Sequence, residues 1–356
     1  MSDPIRVTSS DLQSPEVEQY VEMQQYLSRD LGPTEQQSWL IRVIYANWFY
    51  LSMISMLGGL AGWGLLEPWF DDTTFDSEEL DVAAALLFPI VASGVGLFLG
   101  AAEGAMCRNL PRAIKCGMVG LGVGFAGGLL ALIPVGMLFT LMSTLAVSLW
   151  ENPQPDAMPT GLALMVFIMG RGAAWSIAAI PAGIGQGIAL KERKVILNGL
   201  VGALLGGLLG GLLFDPIDML FTSADGQATI SRGVGFAVIG ASVGLFVGLV
   251  EGWTKTAWLM MRKGPLAGKQ FILYKDTTNL GSSPKAEIYL FKDDAIEPSH
   301  AQIINRGGRF EIEDCNSPDG TYVNGIPITR RLLEDGDQIV LGKTVLEFSL
   351  KESKNT

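Results

Sequence analysis

The 356 residues carry 25 Lys and Arg against 36 Asp and Glu, a net charge of −11, and only 17% of them are charged against 49% hydrophobic. A soluble domain is usually about 25% charged, so the composition points to a membrane protein. The acidic balance argues against a nucleic-acid partner, whose phosphates require a basic surface. Cys107, Cys116 and Cys315 show neither CxxC spacing nor a disulfide framework.

Residues 1–37 read as a polar cytoplasmic arm, without the basic and then apolar order of a signal peptide. Thr34 and Gln37 have the spacing of a capping box, and a first membrane helix is predicted from Trp39 to Leu66. Five more are predicted at 82–106, 116–141, 160–188, 195–214 and 233–258, on runs that match the roughly 20 apolar residues a bilayer core requires. The expected organisation is an arm over 1–37, a six-helix transmembrane domain over 38–260, a linker over 261–268 and a β domain over 269–352.

The connections alternate in charge. Loop 67–81 contains Glu67, Asp71, Asp72, Asp76, Glu78, Glu79 and Asp81 and no base. Loops 151–158 and 215–232 are also acidic, with Arg232 the only base. The alternate connections hold Arg108, Arg112 and Lys115; Lys191, Arg193 and Lys194; and Lys255, Arg262, Lys263 and Lys269. Positive charge is retained on the cytoplasmic side, which predicts an even number of spans with both termini in the cytoplasm, in the plasma (inner) membrane.

Internal similarity suggests three glycine-rich hairpin repeats. Gly58-Gly59-Leu60-Ala61-Gly62 leading to Glu67-Pro68 matches Gly206-Gly207-Leu208-Leu209-Gly210 leading to Asp215-Pro216, with a weaker copy at Gly127-Gly128-Leu129-Leu130. Gly96, Gly100 and Gly104 correspond to Gly244, Gly248 and Gly252. Spacing of four residues places these glycines on one helix face, where neighbouring backbones can approach closely. Such glycine-zipper stripes serve packing, or else a thin-walled path or sliding helices in a transporter; a homo-oligomer is also left open.

The polar residues within the spans are the candidate membrane sites. Glu103, Gln186 and Glu251 each follow a stripe glycine by three residues, close to the basic loops, where helix-terminus contacts or an i,i+4 pair of Glu251 with Lys255 are expected. Arg171 and Arg232 lie near the opposite ends, where they either snorkel outward or contact the acidic loops or lipid phosphate. Gly240-Ala241-Ser242-Val243-Gly244 spells GxSxG, but a nucleophilic serine needs a base and the single histidine, His300, is in the β domain. No metal-ligand cluster or phosphate loop is spelled, so neither an enzyme nor a cofactor is expected.

From Gln270 onward, short alternating runs predict a β sandwich with strands at 271–274, 288–291, 301–304, 310–312, 339–341 and 344–348. Asn279-Leu280-Gly281-Ser282-Ser283-Pro284, Ala286-Glu287-Ile288-Tyr289-Leu290, Pro298-Ser299-His300-Ala301-Gln302-Ile303 and Asp319-Gly320-Thr321-Tyr322-Val323-Asn324-Gly325 together resemble a forkhead-associated (FHA) domain. The resemblance implies loops that bind phosphothreonine peptides, with Gly281, Ser282, Lys285, Glu297, His300, Asp319, Gly320 and Asn324 as candidate positions, of which Gly281, His300, Gly320 and Asn324, with Thr321, are implied to be architectural. The family has an arginine after the first motif glycine, a serine three residues before the histidine and an asparagine before Gly-Thr. Here those positions hold Ser282, Glu297 and Asp319, so a cation is lost and two carboxylates face a ligand of about −1.5 to −2 charges. The resulting expectation is a membrane all-α domain anchoring an FHA-like all-β sandwich, which docks a cytoplasmic protein partner, phosphorylated or not, beside the lipid bilayer. The alternative is a transporter or channel regulated by that domain.

Overall fold

The computed structural model describes Val17 and residues 38–69, 82–151, 159–221 and 229–351. The expected arm 1–37 with its capping box, most of loop 67–81, and the loop segments 152–158 and 222–228 lie outside the described residues, apart from Val17. The chain divides into two compact units, one of residues 44–255 and one that groups residues 38–43 with the β domain over 256–351.

Seven helices are present among the described residues: α1 (Trp39–Ile44), α2 (Asn47–Leu66), α3 (Val82–Met106), α4 (Leu110–Ser148), α5 (Gly161–Leu190), α6 (Arg193–Phe221) and α7 (Thr229–Thr254). Six of them, α2 to α7, are long and apolar enough to cross a membrane. The helix expected over 39–66 is broken at Tyr45 and Ala46, where Ala46 is extended at φ −68° and ψ 126° and Asn47 begins α2. The helix expected over 116–141 runs instead for 39 residues, roughly 58 Å at the usual rise. It starts early because Asn109 accepts the Arg112 N–H as a cap and Pro111 suits the first turn. Arg112 and Lys115 therefore belong to the helix, not to a loop. Likewise α6 continues past Asp215 and Pro216 to Phe221, and Arg232 is in the first turn of α7.

Each helix from α2 to α7 packs on its sequence neighbour, and α7 returns to α2, closing a six-helix ring with α3 also touching α5. Two of the connections are tight. Arg108 (φ 54°) and Lys191 (φ 58°) both take the left-handed conformation after a helix. Asn109 N–H then donates to the Gly104 carbonyl, as Glu192 N–H does to Gly187, satisfying helix-end carbonyls in the manner of a left-handed cap. Glycines permit the closest crossings. A Cβ on Gly96 or Gly120 would collide with the carbonyl oxygen of the other, and the same holds for Gly183 and Gly199. The centre is aromatic: Trp175 lies 4.7 Å from Phe88 and 5.7 Å from Phe236 between ring centroids, and Phe236 is 1% exposed.

The second unit is a sandwich of two sheets. Its strands are β1 (Ala257–Lys263), β2 (Gln270–Ile272), β3 (Thr277–Gly281), β4 (Ile288–Tyr289), β5 (Ala301–Arg306), β6 (Arg309–Asp314), β7 (Thr321–Val323), β8 (Ile326–Ile328), β9 (Arg330–Leu332), β10 (Gln338–Leu341) and β11 (Thr344–Leu350). One sheet has the order β2-β1-β11-β10-β7-β8 and the other β4-β3-β5-β6-β9. Inward residues alternate along the strands, as a sandwich requires, and Leu259, Leu280, Ile303, Phe310, Ile312 and Phe348 are buried between the sheets.

The β unit begins earlier than the sequence suggests. The sixth helix was expected to reach 258 and a linker to fill 261–268. Instead α7 ends at Thr254, and Ala257–Lys263 forms a central strand paired with β11 and β2. Ala257, Leu259 and Met261 are buried while Trp258 and Met260 are half-buried. This period of two is hidden because the apolar segment Ala257–Met261 follows directly on the apolar helix. Strands β3, β7, β8 and β9 were also missed, three of them being only three residues long.

Candidate functional site

The motif residues of the sandwich fall on three loops held together by His300. Gly281 ends β3, and a Cβ there would collide with the Pro298 carbonyl, so only glycine lets the β3–β4 and β4–β5 loops touch. Ser282 N–H donates to the Glu297 carbonyl at 2.9 Å. His300 is fully buried, and its Nδ1 accepts the Glu297 N–H at 3.2 Å. Its Nε2 lies 3.2 Å from the Gly320 carbonyl, so the neutral ring with its proton on Nε2 satisfies both contacts. The imidazole is therefore a brace between the loops, with no edge left for a ligand.

Asp314 shapes the third loop. It accepts from Ser317 Oγ at 2.6 Å and from Thr321 Oγ1 at 2.7 Å, with Ser317 N–H at 3.0 Å. Burial opposes its charge, but these hydrogen bonds prevail and hold the carboxyl below its usual range. Asp319, Glu297 and Lys285 are exposed, and Ser282 is half-buried. Ser282, Glu297, His300 and Gly320 are thus brought together, with Lys285 on the same loop as Ser282. Asn324 is not part of this cluster. Its amide donates to Asp337 at 2.7 Å and accepts the Gln338 N–H at 2.9 Å, tying the β7–β8 turn to the start of β10. Sequence reasoning passed over the role of Glu287. Its carboxylate accepts from Asn279 N–H and Nδ2 and from Lys275 Nζ at 3.0–3.1 Å, fixing the β3 end of the cluster.

The polar residues of the helical unit form separate pairs. Asn47 Nδ2 of α2 donates to Glu251 of α7 at 3.0 Å. Gln186 is buried and Glu103 half-buried. Arg232 of α7 contacts Glu67, the acidic residue that ends α2, through Nε at 3.2 Å and Nη2 at 2.6 Å. Arg171 of α5 places Nε 3.2 Å from Asp215 of α6. Its guanidinium is surrounded by the rings of Phe139, Phe167 and Phe214, at 5.6, 5.1 and 5.2 Å. Of the alternatives open for the two arginines, contact with acidic residues is the one observed. Glu67 and Asp215 were read only as loop charges. Their signal was present, since each precedes a proline at the end of the same glycine-rich string.

The FHA domain family matches residues 278–342. Glycogen accumulation regulator GarA of Mycolicibacterium smegmatis is 38% identical over 93 residues, which are 26% of this chain and 58% of that protein. An oxoglutarate dehydrogenase inhibitor of Corynebacterium jeikeium is 39% identical over 101 residues, 28% of this chain and 67% of that protein. The chain therefore spans about three-fifths to two-thirds of these relatives, and does so only with its C-terminal part. The crystal structure of the FHA domain of CT664 protein from Chlamydia trachomatis superposes with a TM-score of 0.26 and 28% identity, covering 28% of this chain and 100% of that one.

Proposed function

The chain belongs to the FHA-domain family through residues 278–342, and on that premise we propose that it is a multi-pass membrane protein presenting an FHA-like protein-interaction domain at the cytoplasmic face. The six apolar helices form the anchor as three glycine-zipper hairpins, and the domain acts as a scaffold or signalling adaptor without enzymatic activity. The partner is a cytoplasmic protein docked without phosphothreonine.

One observation carries this reading. The loops tied together by His300 hold Ser282, Glu297 and Asp319 where the resemblance implies an arginine, a serine and an asparagine. Charge-assisted bonds to arginine are the strong contacts in phosphate sites. Here a hydroxyl replaces one, and two carboxylates repel a dianion. The experiment is calorimetric titration of the full chain in lipid nanodiscs with a phosphothreonine peptide library, alongside the triple variant Ser282→Arg, Glu297→Ser, Asp319→Asn. No binding by the native chain and measurable binding by the variant are expected. Micromolar binding by the native chain would overturn docking without phosphate.

A second reading, a transporter or channel regulated by the FHA-like domain, draws on the pairing of half-buried Arg171 with buried Asp215. Ion or solute flux through liposomes containing the purified chain separates it from the anchor.

A further inference from the structure

Arg232 grips Glu67 through two aligned hydrogen bonds, whereas Arg171 only approaches Asp215. Asp215 is 0% exposed, and neither its Oδ1 nor its Oδ2 has a hydrogen-bond donor among the described residues. The Arg171 Nε–H, although 3.2 Å away, is not aligned on it and also lacks an acceptor. An ionised carboxylate buried without hydrogen bonds is among the costliest arrangements in a protein interior.

The neighbouring charges explain how this arrangement persists. Asp218 is three residues further along α6 and in Coulomb range of both Arg171 and Asp215. It is half-buried and accepts from Ser231 Oγ of α7 at 2.6 Å. The charged groups facing Asp215 are Arg171 from α5 and Asp218 from its own helix, while Arg232 of α7 is engaged with Glu67. Two carboxylates thus share one guanidinium. Acids so placed do not both ionise readily, and their surroundings decide which keeps the proton. Asp218 has a hydroxyl donor and partial access to solvent, whereas Asp215 has neither.

We propose that Asp215 is a proton-binding site of the helical unit, carrying a proton on one Oδ while Asp218 remains the counter-ion of Arg171. A proton is the ligand that requires no added volume at so enclosed a group. The step is simple protonation, with the proton drawn from solvent on the Asp218 side. The charges then balance, one guanidinium against one carboxylate, with the faces of Phe139, Phe167 and Phe214 sharing the cation. Loss of the proton would place a second anion at the α5–α6 contact and tie its packing to pH. The inference is independent of the FHA-like domain.

The test uses the full chain in nanodiscs. Infrared spectroscopy at neutral pH should show a protonated-carboxyl carbonyl band, and Asp215→Asn should abolish it. Asparagine imitates the neutral acid, so the melting temperature of Asp215→Asn should stay at the native value. Asp218→Asn should lower it, because Asp215 must then ionise without a donor. The proposal is overturned by absence of the band in the native chain, by its survival in Asp215→Asn, or by misfolding or a marked fall in melting temperature of Asp215→Asn with Asp218→Asn tolerated.

Discussion

Glu287 gathers three donors from two residues, Lys275 and Asn279, before β4 begins. Burial opposes its charge, yet these bonds hold its carboxyl below the usual glutamate range. A group whose folded value is depressed adds stability above its unfolded value, and that stability is lost as pH falls through the folded value. Glu287→Gln should therefore destabilise the β unit by about 1.5 kcal/mol at pH 7, the scale of hydrogen bonds to a charged group. The difference from the native chain should shrink as pH falls below the ordinary glutamate range and vanish once Glu287 is protonated. Denaturant unfolding followed at several pH values measures this, and a difference independent of pH would assign Glu287 a purely steric role. The motif residues around it were legible because a sequence string carries them whole. Their roles were partly so: the resemblance implied an architectural role for His300 and Asn324, and the hydrogen bonds of their side chains show which partners they hold. The proline after a glycine-rich string marked Asp215, but its burial beside Arg171 of α5, distant in sequence, was not legible.

The helices were legible as elements, since each is a long apolar run, but their ends were not. Charged first turns at Arg112 and Lys115 read as loops, and the strand Ala257–Lys263 merged with the helix before it. Glycine spacing announced close crossings without saying which helices cross. A Cβ on Gly244 would strike the Leu51 carbonyl and lie 2.7 Å from Ser55 Cβ, whereas at Gly252 on the same helix a Cβ would meet nothing within 4 Å. Gly244→Ala should accordingly cost about 1–3 kcal/mol through overpacking against backbone that cannot yield. Gly252→Ala should be neutral or stabilise by up to about 1 kcal/mol, because alanine restricts the unfolded chain and favours helix. Thermal unfolding of both variants in detergent compares them directly. Equal effects at the two positions would show that the α2–α7 crossing adapts, and that the glycines there are not required for packing.

At the scale of the whole chain, the distribution of charge sets the expected orientation. The turns after α3 and α5, and the starts of the helices that follow them, expose Arg108, Lys115, Lys191, Arg193 and Lys194. The opposite helix ends carry Glu67, Asp215 and Asp218, with Arg171 and Arg232 occupied by acids. The structure removes part of the original count, because Arg262 is in β1 and pairs with Glu347 at 2.7 and 2.8 Å. It belongs to a folded domain, where orientation is little affected by charge. The remaining basic residues are close to the helix ends, where the bias acts most strongly, so the predicted topology keeps both termini in the cytoplasm. Single cysteines placed at Asp76, Lys191 and Ser353 in a chain whose Cys107, Cys116 and Cys315 are replaced by serine test it. A membrane-impermeant maleimide added to intact cells should modify the cysteine at Asp76 alone, and those at Lys191 and Ser353 only after permeabilisation. Modification of Lys191→Cys and Ser353→Cys, but not Asp76→Cys, in intact cells would invert the topology and place the FHA-like domain outside. Equal modification of all three would remove the basis for a membrane-spanning bundle.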